Sequence, residues 1–289
     1  MPQEQTISSK TMFSFEVFPP KRDMPVDRIY PTLGELAELE PDFISVTCGA
    51  GGSSVGGSVR MVEVAAAIQD KYHRPSVAHL PCIYFSRDGI METLEQMRAK
   101  GIGKLLALRG DRVPGVEPEQ DFRHAKDLIA FIRERTGDEF QIFAACYPEG
   151  HVEAPSLDAD IQFLKQKVEA GADHLISQLF FDNEFFYRFR EKAQMAGIQV
   201  PIEAGIMPVT SKSQIERMVT MCGATLPRKF QRILAKYESR PEALRDAGIA
   251  LAIDQIVDLL GHGVDGIHLY VMNNPYIARK ISESVRSLL

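Results

Sequence analysis

The chain alternates between short apolar segments and helical patterns from one end to the other, and this alternation limits its fold more than any other feature. Eight segments rich in β-branched and aromatic residues are typical of strands. Most are almost continuously apolar, as parallel strands covered on both faces are. The predicted strands are Phe13–Phe18, Phe43–Cys48, Ser76–Cys82, Lys104–Arg109, Gln141–Tyr147, His174–Phe181, Val200–Met207 and Gly266–Met272.

The segments between these strands carry the start and stop signals of helices. A helix over Asp160–Ala170 should end before Gly171, because glycine readily adopts the left-handed conformation that terminates helices. Ser211 and Gln214 have the spacing of a capping box at the start of another helix. Pro275 suits the first position of the last helix, where no N–H is needed. A helical pattern therefore accompanies each predicted strand.

Eight strand–helix units in 289 residues, without a break in composition, predict an α/β fold with one closed (β/α)8 TIM barrel as the single domain 1–289. The segment Thr225–Gly261 adds extra helix between strands 7 and 8, including a stretch that begins at Pro241. A doubly wound open sheet is the alternative that the same pattern allows. In a barrel, functional side chains lie at the carboxyl ends of the strands.

The charges and cysteines argue against several classes of protein. Net charge is −6 and the 33 basic residues are scattered, which argues against a nucleic-acid groove or a polybasic membrane anchor. No apolar run reaches the ~20 residues of a membrane span, and no signal-peptide pattern is visible. Four well-separated cysteines without a CxxC motif argue against disulfides or a zinc ribbon, so we expect a cytoplasmic protein without a metal site. Apolar residues on the outer helices are compatible with a homo-oligomer.

Polar side chains recur near the predicted carboxyl ends of the first six strands. In a parallel barrel these ends meet on one face, so the side chains should converge. Such convergence of titratable and hydrogen-bonding groups indicates an active site. In chain order the residues are Glu16, Thr47, His79, Arg109, Asp111, Tyr147, His151 and Gln178.

Each of these residues also has a structural interpretation. Glu16 lies within an apolar strand, so it requires either an ionic partner or a raised pKa, and both a buried ion pair and a general acid remain open. Asp111 could cap the next turn or helix. His79 could be a core histidine with satisfied hydrogen bonds, and His151 could lie on the surface of a loop.

The glycine-rich segment Gly51–Ser58 has nearly the spacing of a phosphate-binding loop, but Gly57 stands where that loop requires lysine. No GxGxxG motif follows a strand, so neither common nucleotide fingerprint is present. Lys165 and Lys167 follow Asp160 on one predicted helix, where a solvent-exposed charged face is the simplest interpretation.

Several ordered motifs resemble those of bacterial methylenetetrahydrofolate reductases, and together they span essentially the whole chain. Any one of them alone would be weaker support than the ordered set. The matching segments are Ser14–Lys21, Ser45–Ser54, His79–Cys82, Ala107–Asp111, Ala144–His151, Asp158–Asp173, Ser177–Asp182 and Gly205–Ser211.

This resemblance implies a (β/α)8 barrel that holds FAD non-covalently and reduces 5,10-methylenetetrahydrofolate to 5-methyltetrahydrofolate, supplying methyl groups for methionine. It implies a ping-pong mechanism, in which NADH or NADPH reduces the flavin and leaves before the folate enters. The regulatory domain of eukaryotic members, which binds S-adenosylmethionine, is not expected.

The resemblance also implies roles for individual residues. Glu16 matches the family's general acid, which acts near N10 of the folate as the five-membered ring opens to an iminium cation. Asp111 matches a catalytic carboxylate near the flavin and pterin, where negative charge stabilises that cation. Both should contact the substrate, together with Gln178, Gln214 and Tyr270. The residues implied to bind FAD are Thr47, His79, Leu108, Arg109, Gly110, Asp111, Ala145, Tyr147, His151, Asp160 and Lys167.

Two positions depart from the family pattern. Cys48 stands where tyrosine is common, and Met218 stands where some members have a phenylalanine that stacks on a ligand, which leaves the nicotinamide contacts open. A flavin- or folate-binding barrel without catalysis is the alternative function. The combination of Glu16, Asp111 and Gln178 favours an enzyme, because a binding module needs no acid on its first strand.

Overall fold

The computed structural model describes residues 10–48, 55–113 and 115–289, so the first half of the glycine-rich segment lies outside the described residues. Within these ranges, parallel strands pair in sequence order and the last pairs with the first, which closes a barrel. The strands are β1 (Met12–Val17), β2 (Phe43–Val46), β3 (Ser76–Pro81), β4 (Lys104–Leu108), β5 (Gln141–Cys146), β6 (His174–Ser177), β7 (Ile202–Ile206) and β8 (Gly266–Tyr270).

The helices surround the barrel. This arrangement confirms the predicted (β/α)8 fold and not the alternative, a doubly wound open sheet. The predicted extra helix between strands 7 and 8 is also confirmed, as two helices that follow α7. No helix of the described ranges combines the length and apolar character needed to cross a membrane. The helices are α1 (Tyr30–Ala37), α2 (Val55–Tyr72), α3 (Arg87–Ala99), α4 (Ala125–Thr136), α5 (Leu157–Glu169), α6 (Asn183–Met195), α7 (Lys212–Cys222), α8 (Arg228–Tyr237), α9 (Pro241–Gly261) and α10 (Pro275–Val285).

All eight predicted strands extend too far at their carboxyl ends, by one to four residues. The largest error is in β6, which ends at Ser177: Gln178 N still donates to Cys146 O at 2.7 Å, but Leu179 N donates to the side-chain oxygen of Gln178 at 2.8 Å instead of to a neighbouring strand. At β1, the two prolines after Phe18 carry no N–H with which to continue the ladder. The predicted residues beyond the ladders therefore lie at the rim of the barrel.

Two helix starts also differ in detail from the prediction. Helix α5 begins three residues before Asp160, because the hydroxyl of Ser156 accepts a hydrogen bond from Ala159 N at 3.2 Å and caps the helix there. At α7 the capping box is only half formed. Ser211 Oγ accepts from Gln214 N at 3.2 Å, but the Gln214 side chain accepts from Thr210 Oγ1 at 3.0 Å.

Alternate residues of each strand point into the barrel or toward the helices. On β1, Phe13, Phe15 and Val17 pack in the core between strands and helices. Ser14 and Glu16 occupy the alternate positions and make their contacts inside the barrel. A separate apolar cluster of Phe43, Val77, Leu106, Phe143 and Ile176 fills the barrel interior beside them. The barrel is thus a packed core that carries a few polar groups.

Two glycines on the strands make space for large interior side chains. A Cβ at Gly205 would lie 2.1 Å from the carbonyl oxygen of Ser177 and 2.8 Å from the hydroxyl of Tyr270. A Cβ at Gly266 would lie 2.6 Å from Cγ of Glu203. The positions of Tyr270 and Glu203 therefore depend on the absence of a side chain on neighbouring strands.

We predict that Gly205→Ala lowers the free energy of unfolding by about 3 kcal/mol or more, because the new methyl group collides with backbone that cannot move aside. The control is Gly103→Ala, at an exposed glycine with nothing within 4 Å of an added Cβ. It should change stability by less than about 1 kcal/mol. Urea unfolding of both variants checks this, and equal stabilities would contradict it.

Candidate active site

Two adjoining cavities open at the carboxyl ends of the strands. The inner cavity, of about 350 Å³, lies over the barrel mouth and includes Glu16, Asp111 and Gln178 in its wall. The outer cavity, of about 240 Å³, lies beside α4 and α5 and includes Asp160 and Lys167. They form one cleft, because they share wall residues from β4, β5 and the segments that follow them. The shared residues are Leu108, Arg109, Ala145, Tyr147 and His151.

The structure brings almost all of the predicted site residues into this cleft. The exception is Gln214, which lies in the first turn of α7, bonded to Thr210, and lines neither cavity. Met218 lines the inner cavity, whereas Cys48 is buried against the backbone near Gly57. The predicted residues in the inner cavity are Glu16, Thr47, His79, Leu108, Arg109, Gly110, Asp111, Ala145, Tyr147, His151, Gln178 and Tyr270.

Glu16 sits among neutral groups at the floor of the inner cavity. Its Oε2 lies 3.6 Å from Nε2 of His79 and 4.0 Å from Nε2 of His268. Burial raises the pKa of Glu16 to about 8, and it lowers the pKa of each of the two imidazoles to about 3. At neutral pH the carboxyl therefore keeps its proton and the imidazoles stay uncharged. Glu16 therefore forms no ion pair with His79 or His268. This favours a general acid over a buried ion pair as the role of Glu16.

Tyr270 closes one side of the inner cavity. Its hydroxyl donates to the carbonyl oxygen of Ser177 at 2.7 Å, and its ring meets that of His268 edge-on with centroids 5.4 Å apart. Burial raises the pKa of this phenol well above its ordinary value. The tyrosine therefore stays neutral and adds no charge next to Glu16.

Arg109 lies where the two cavities join. Its guanidinium pairs with both carboxylate oxygens of Glu153, and His151 Nδ1 accepts a hydrogen bond from Glu153 N at 3.1 Å. The rings of His151 and Tyr147 meet edge-on with centroids 4.8 Å apart. Burial, followed by the nearby Arg109, lowers the pKa of His151. His151 thus belongs to the cleft wall, which is not the simple surface position that its loop suggested.

Lys167 and Asp160 face the outer cavity from one side of α5. Lys167 Nζ donates to the carbonyl oxygen of Ala145 at 2.8 Å, and Asp160 Oδ2 accepts from His151 N at 3.2 Å. Burial raises the pKa of Asp160, while the charge of Lys167 opposes that effect. Lys165 instead lies at the surface, 3.9 Å from Glu169. The exposed charged face proposed as the alternative therefore applies to Lys165 but not to Lys167.

Several polar groups of the site and of the barrel beneath it were not predicted from the sequence. Glu153 follows His151 closely in a charged loop, with no pattern that marks it as the partner of Arg109. Glu203 and His268 are fully buried on β7 and β8. Glu203 is an acid in an apolar strand, which is the same signal that identified Glu16. Among the described residues, no group of three or more potential metal ligands is arranged to hold a metal ion.

Comparisons with known proteins agree on one family for this chain. The profile of the methylenetetrahydrofolate reductase family matches residues 2–286. Methylenetetrahydrofolate reductase (NADH) 1 of Arabidopsis thaliana is 35% identical over 281 residues, which are 93% of this chain and 47% of the plant protein. The 5,10-methylenetetrahydrofolate reductase of Pectobacterium carotovorum subsp. carotovorum is 34% identical over 272 residues, covering 94% of this chain and 89% of the bacterial protein. The chain spans about half the length of its plant and fungal relatives.

Solved structures share the fold at much lower sequence identity. A Clostridium thermocellum protein, described as binding two copies of 5-methyl-5,6,7,8-tetrahydrofolic acid, superposes with a TM-score of 0.64 at 12% identity. The match covers 96% of each chain. At this identity the likeness supports the barrel architecture.

We predict that the Glu16 carboxyl keeps its proton at neutral pH and loses it near pH 8, because burial disfavours the charged form. Difference infrared spectroscopy between the parent protein and Glu16→Gln should show a protonated-carboxyl band that disappears only near this pH. The subtraction removes the contribution of the other carboxyls. Loss of the band near pH 4.5, the ordinary value, would contradict the prediction.

Proposed function

Because the chain belongs to the methylenetetrahydrofolate reductase family, we propose that it uses electrons from NADH or NADPH, carried by bound FAD, to reduce 5,10-methylenetetrahydrofolate to 5-methyltetrahydrofolate. The observation that best supports this activity is the neutral acid Glu16 at the floor of a cavity large enough for a ring system. The product would supply methyl groups for methionine in the cytoplasm. The Clostridium thermocellum neighbour, described as binding a methylated folate, adds support for the ligand class.

Several features of the cleft support the proposal that it binds FAD. Gly110 lines the inner cavity with φ of +89°, and a Cβ there would lie 3.1 Å from Pro81 Cβ, so glycine lets this part of the cavity wall pack closely against the end of β3. His79 Nε2 is buried and has no hydrogen-bond partner among the described residues, so it can serve a ligand. Lys167 and Arg109 place positive charge in the wall where a pyrophosphate would lie.

The outer cavity would hold the adenosine end. Asp160 uses Oδ2 to accept from His151 N, which leaves Oδ1 for a ribose hydroxyl. Tyr147 and His151 offer ring surfaces near the adenine, and Thr47, Leu108 and Ala145 complete the wall of the cleft. When bound, FAD supplies the hydride chemistry, accepting a hydride from the nicotinamide and giving one to the folate.

The protein's own contribution to folate reduction is acid catalysis and charge stabilisation. Glu16 would hold a proton on its carboxyl oxygen until the substrate binds, and would then deliver it near N10 as the five-membered ring opens. Asp111 lines the same cavity, where its carboxylate would stabilise the iminium cation that results. A neutral acid and a nearby carboxylate in one cavity thus suit an intermediate that gains positive charge.

Gln178 and Tyr270 would position the folate. The Gln178 side-chain oxygen already accepts from Leu179 N, so its amide nitrogen is the group that can donate to the substrate. The Tyr270 hydroxyl donates to Ser177 and retains its oxygen as an acceptor. Met218 would provide an apolar surface for the pterin or nicotinamide. A folate contact by Gln214 stays a prediction, and it requires the substrate to extend beyond the inner cavity toward α7.

The shape of the cleft also favours a ping-pong mechanism. Among the described residues, the cavity that contacts both Glu16 and Asp111 is the inner one, with a volume of about 350 Å³. A nicotinamide and a pterin would both need this space to reach the same ring. The donor would therefore leave before the folate enters, whether it is NADH or NADPH.

The activity is tested by anaerobic spectroscopy of the purified protein loaded with FAD. The proposal predicts a yellow protein that bleaches with NADH or NADPH and recovers its colour when 5,10-methylenetetrahydrofolate is added, with 5-methyltetrahydrofolate as the product. A yellow protein that neither nicotinamide bleaches would indicate a flavin-binding barrel or another electron donor. Absence of flavin binding would refute the proposal.

We predict that Glu16→Gln separates the two half-reactions. Flavin reduction by the nicotinamide needs no proton from Glu16 and should keep its parental rate. Re-oxidation by 5,10-methylenetetrahydrofolate should slow by ~10²–10⁴-fold, because an amide cannot deliver a proton. Stopped-flow measurements of each half-reaction check this, with Glu63→Gln on the exposed face of α2 as the control. Equal slowing of both halves, with a lowered melting temperature, would indicate a structural role instead.

We predict that Lys167→Met weakens FAD binding about tenfold or more, since it removes a half-buried cation from the wall of the outer cavity while keeping the length of the side chain. Lys165→Met is the matched control on the same helix and should leave binding within about twofold of the parent, because that lysine lines neither cavity and lies beside Glu169. Fluorescence titration of the apoprotein with FAD measures both. Equal affinities of the two variants for FAD would mean that Lys167 does not bind the pyrophosphate.

A further inference from the structure

A line of buried polar side chains runs through the barrel interior beneath Glu16. His174 Nε2 lies 2.8 Å from Glu203 Oε1, and the Ser14 hydroxyl donates to Glu203 Oε2 at 2.5 Å. Ser14 Oγ also lies 2.7 Å from Nδ1 of His268, whose Nε2 is 4.0 Å from Oε2 of Glu16. Apart from Glu16, every member is at most 3% exposed. The line connects strands β6, β7, β1 and β8 in hydrogen-bonding order.

The direction of these hydrogen bonds follows from the number of protons available. One proton lies between His174 Nε2 and Glu203 Oε1, and whichever atom holds it, Oε2 remains an acceptor. Ser14 has a single hydroxyl proton and donates it to that oxygen. Ser14 Oγ can then only accept from His268, which places the imidazole proton on Nδ1.

A proton on Nδ1 leaves Nε2 of His268 as a lone pair. The Ser45 hydroxyl, 3.3 Å away, can donate to it. This lone-pair side of the imidazole lies 4.0 Å from Oε2 of Glu16, too far for a hydrogen bond, and its negative potential disfavours the carboxylate. The other titratable groups facing Glu16 are His79 on β3 and Tyr270 on β8, and burial keeps both uncharged. The proton affinity of Glu16 therefore depends on the tautomer of His268.

We propose that Glu203 is a positioning residue, which with His174 and Ser14 fixes His268 in the Nδ1–H tautomer and so keeps the proton on Glu16 until the substrate takes it. These three residues act from the interior of the barrel and touch no ligand. The inference concerns the protonation of Glu16, and its catalytic consequence rests on the proposed function.

Two substitutions should remove or reverse the hydrogen bond between Ser14 and His268. In Ser14→Ala, His268 loses the acceptor for Nδ1–H and can instead place its proton on Nε2. In Glu203→Gln, an amide whose oxygen is bound by His174 presents its N–H group to Ser14, so that Ser14 donates to His268 Nδ1. Both changes favour Nε2–H facing Glu16, which stabilises the carboxylate. Ser76→Ala is the control, since Ser76 is also a buried strand serine but its hydroxyl has no hydrogen-bond partner in the part of the chain that the structure describes.

The experiment measures the tautomer and the titration separately, in protein without folate. Nitrogen-15 NMR of histidine-labelled protein should show His268 as Nδ1–H in the parent and Ser76→Ala, and as Nε2–H in Ser14→Ala and Glu203→Gln. Difference infrared titration should place the Glu16 transition roughly one pH unit lower in these two variants. The pH profile of folate-dependent re-oxidation should shift equally, while flavin reduction by nicotinamide stays unchanged.

Two results would overturn the inference: an Nε2–H tautomer in the parent protein, or a Glu16 transition that stays in place when the tautomer changes. A purely structural role would lower the melting temperature of both variants without moving either titration. If the tautomer and the infrared transition both shift but no folate is reduced, the inference about Glu203 holds and the proposed function is refuted. Two variants are used, so that if one fails to fold, the other still tests the inference.

Discussion

The carboxyl group of Glu16 is largely withdrawn from water at the bottom of a cavity, and the chemistry of the site depends on this poor solvation of its negative charge. Burial raises the pKa of Glu16 to about 8, and the imidazoles of His79 and His268 stay uncharged for the same reason. Burial thus favours an acid that is protonated at neutral pH, and the proposed tautomer of His268 adds to this preference. The closed barrel provides the burial, because its interior excludes water on every side except the cavity.

The two ends of the cleft differ in their electrostatics, and this difference suits a long ligand with a neutral ring at one end and charges along its length. The inner end has a neutral acid, with Asp111 in the same wall. Toward the outer end, Arg109 pairs with Glu153, and Lys167 is near Asp160. These charges are compensated within the protein, so a pyrophosphate would have to share its cations with existing partners.

Much of this arrangement could be predicted from the sequence, because it follows from local patterns. Apolar periodicity identified eight strands, and the carboxyl-end rule then brought Glu16, Asp111 and Gln178 to one cavity. The strand ends were overestimated because apolar residues continue past the last ladder bond, where a side chain such as that of Gln178 takes over the backbone partner. Helical periodicity could have separated Lys165 from Lys167, since residues two apart face different directions.

The polar line beneath Glu16 could not be predicted in the same way. Glu203 stands out in the sequence as an acid within an apolar strand, but its partners depend on the register between strands. Ser14 is level with His268 across the β1–β8 pair, and Glu203 is level with Gly266 across the β7–β8 pair. Such neighbours are more than sixty residues apart in the chain, so only the closed barrel defines them.

The central claim, that a buried and neutral Glu16 protonates the folate, is tested most directly by the pH dependence of a single half-reaction. The measurement is the rate constant for re-oxidation of the reduced parent protein by 5,10-methylenetetrahydrofolate, at saturating substrate and without oxygen. The account predicts a constant rate below about pH 8 and a decrease of about tenfold per pH unit above it. A rate that already decreases from about pH 4.5, the ordinary value for this carboxyl, would contradict it.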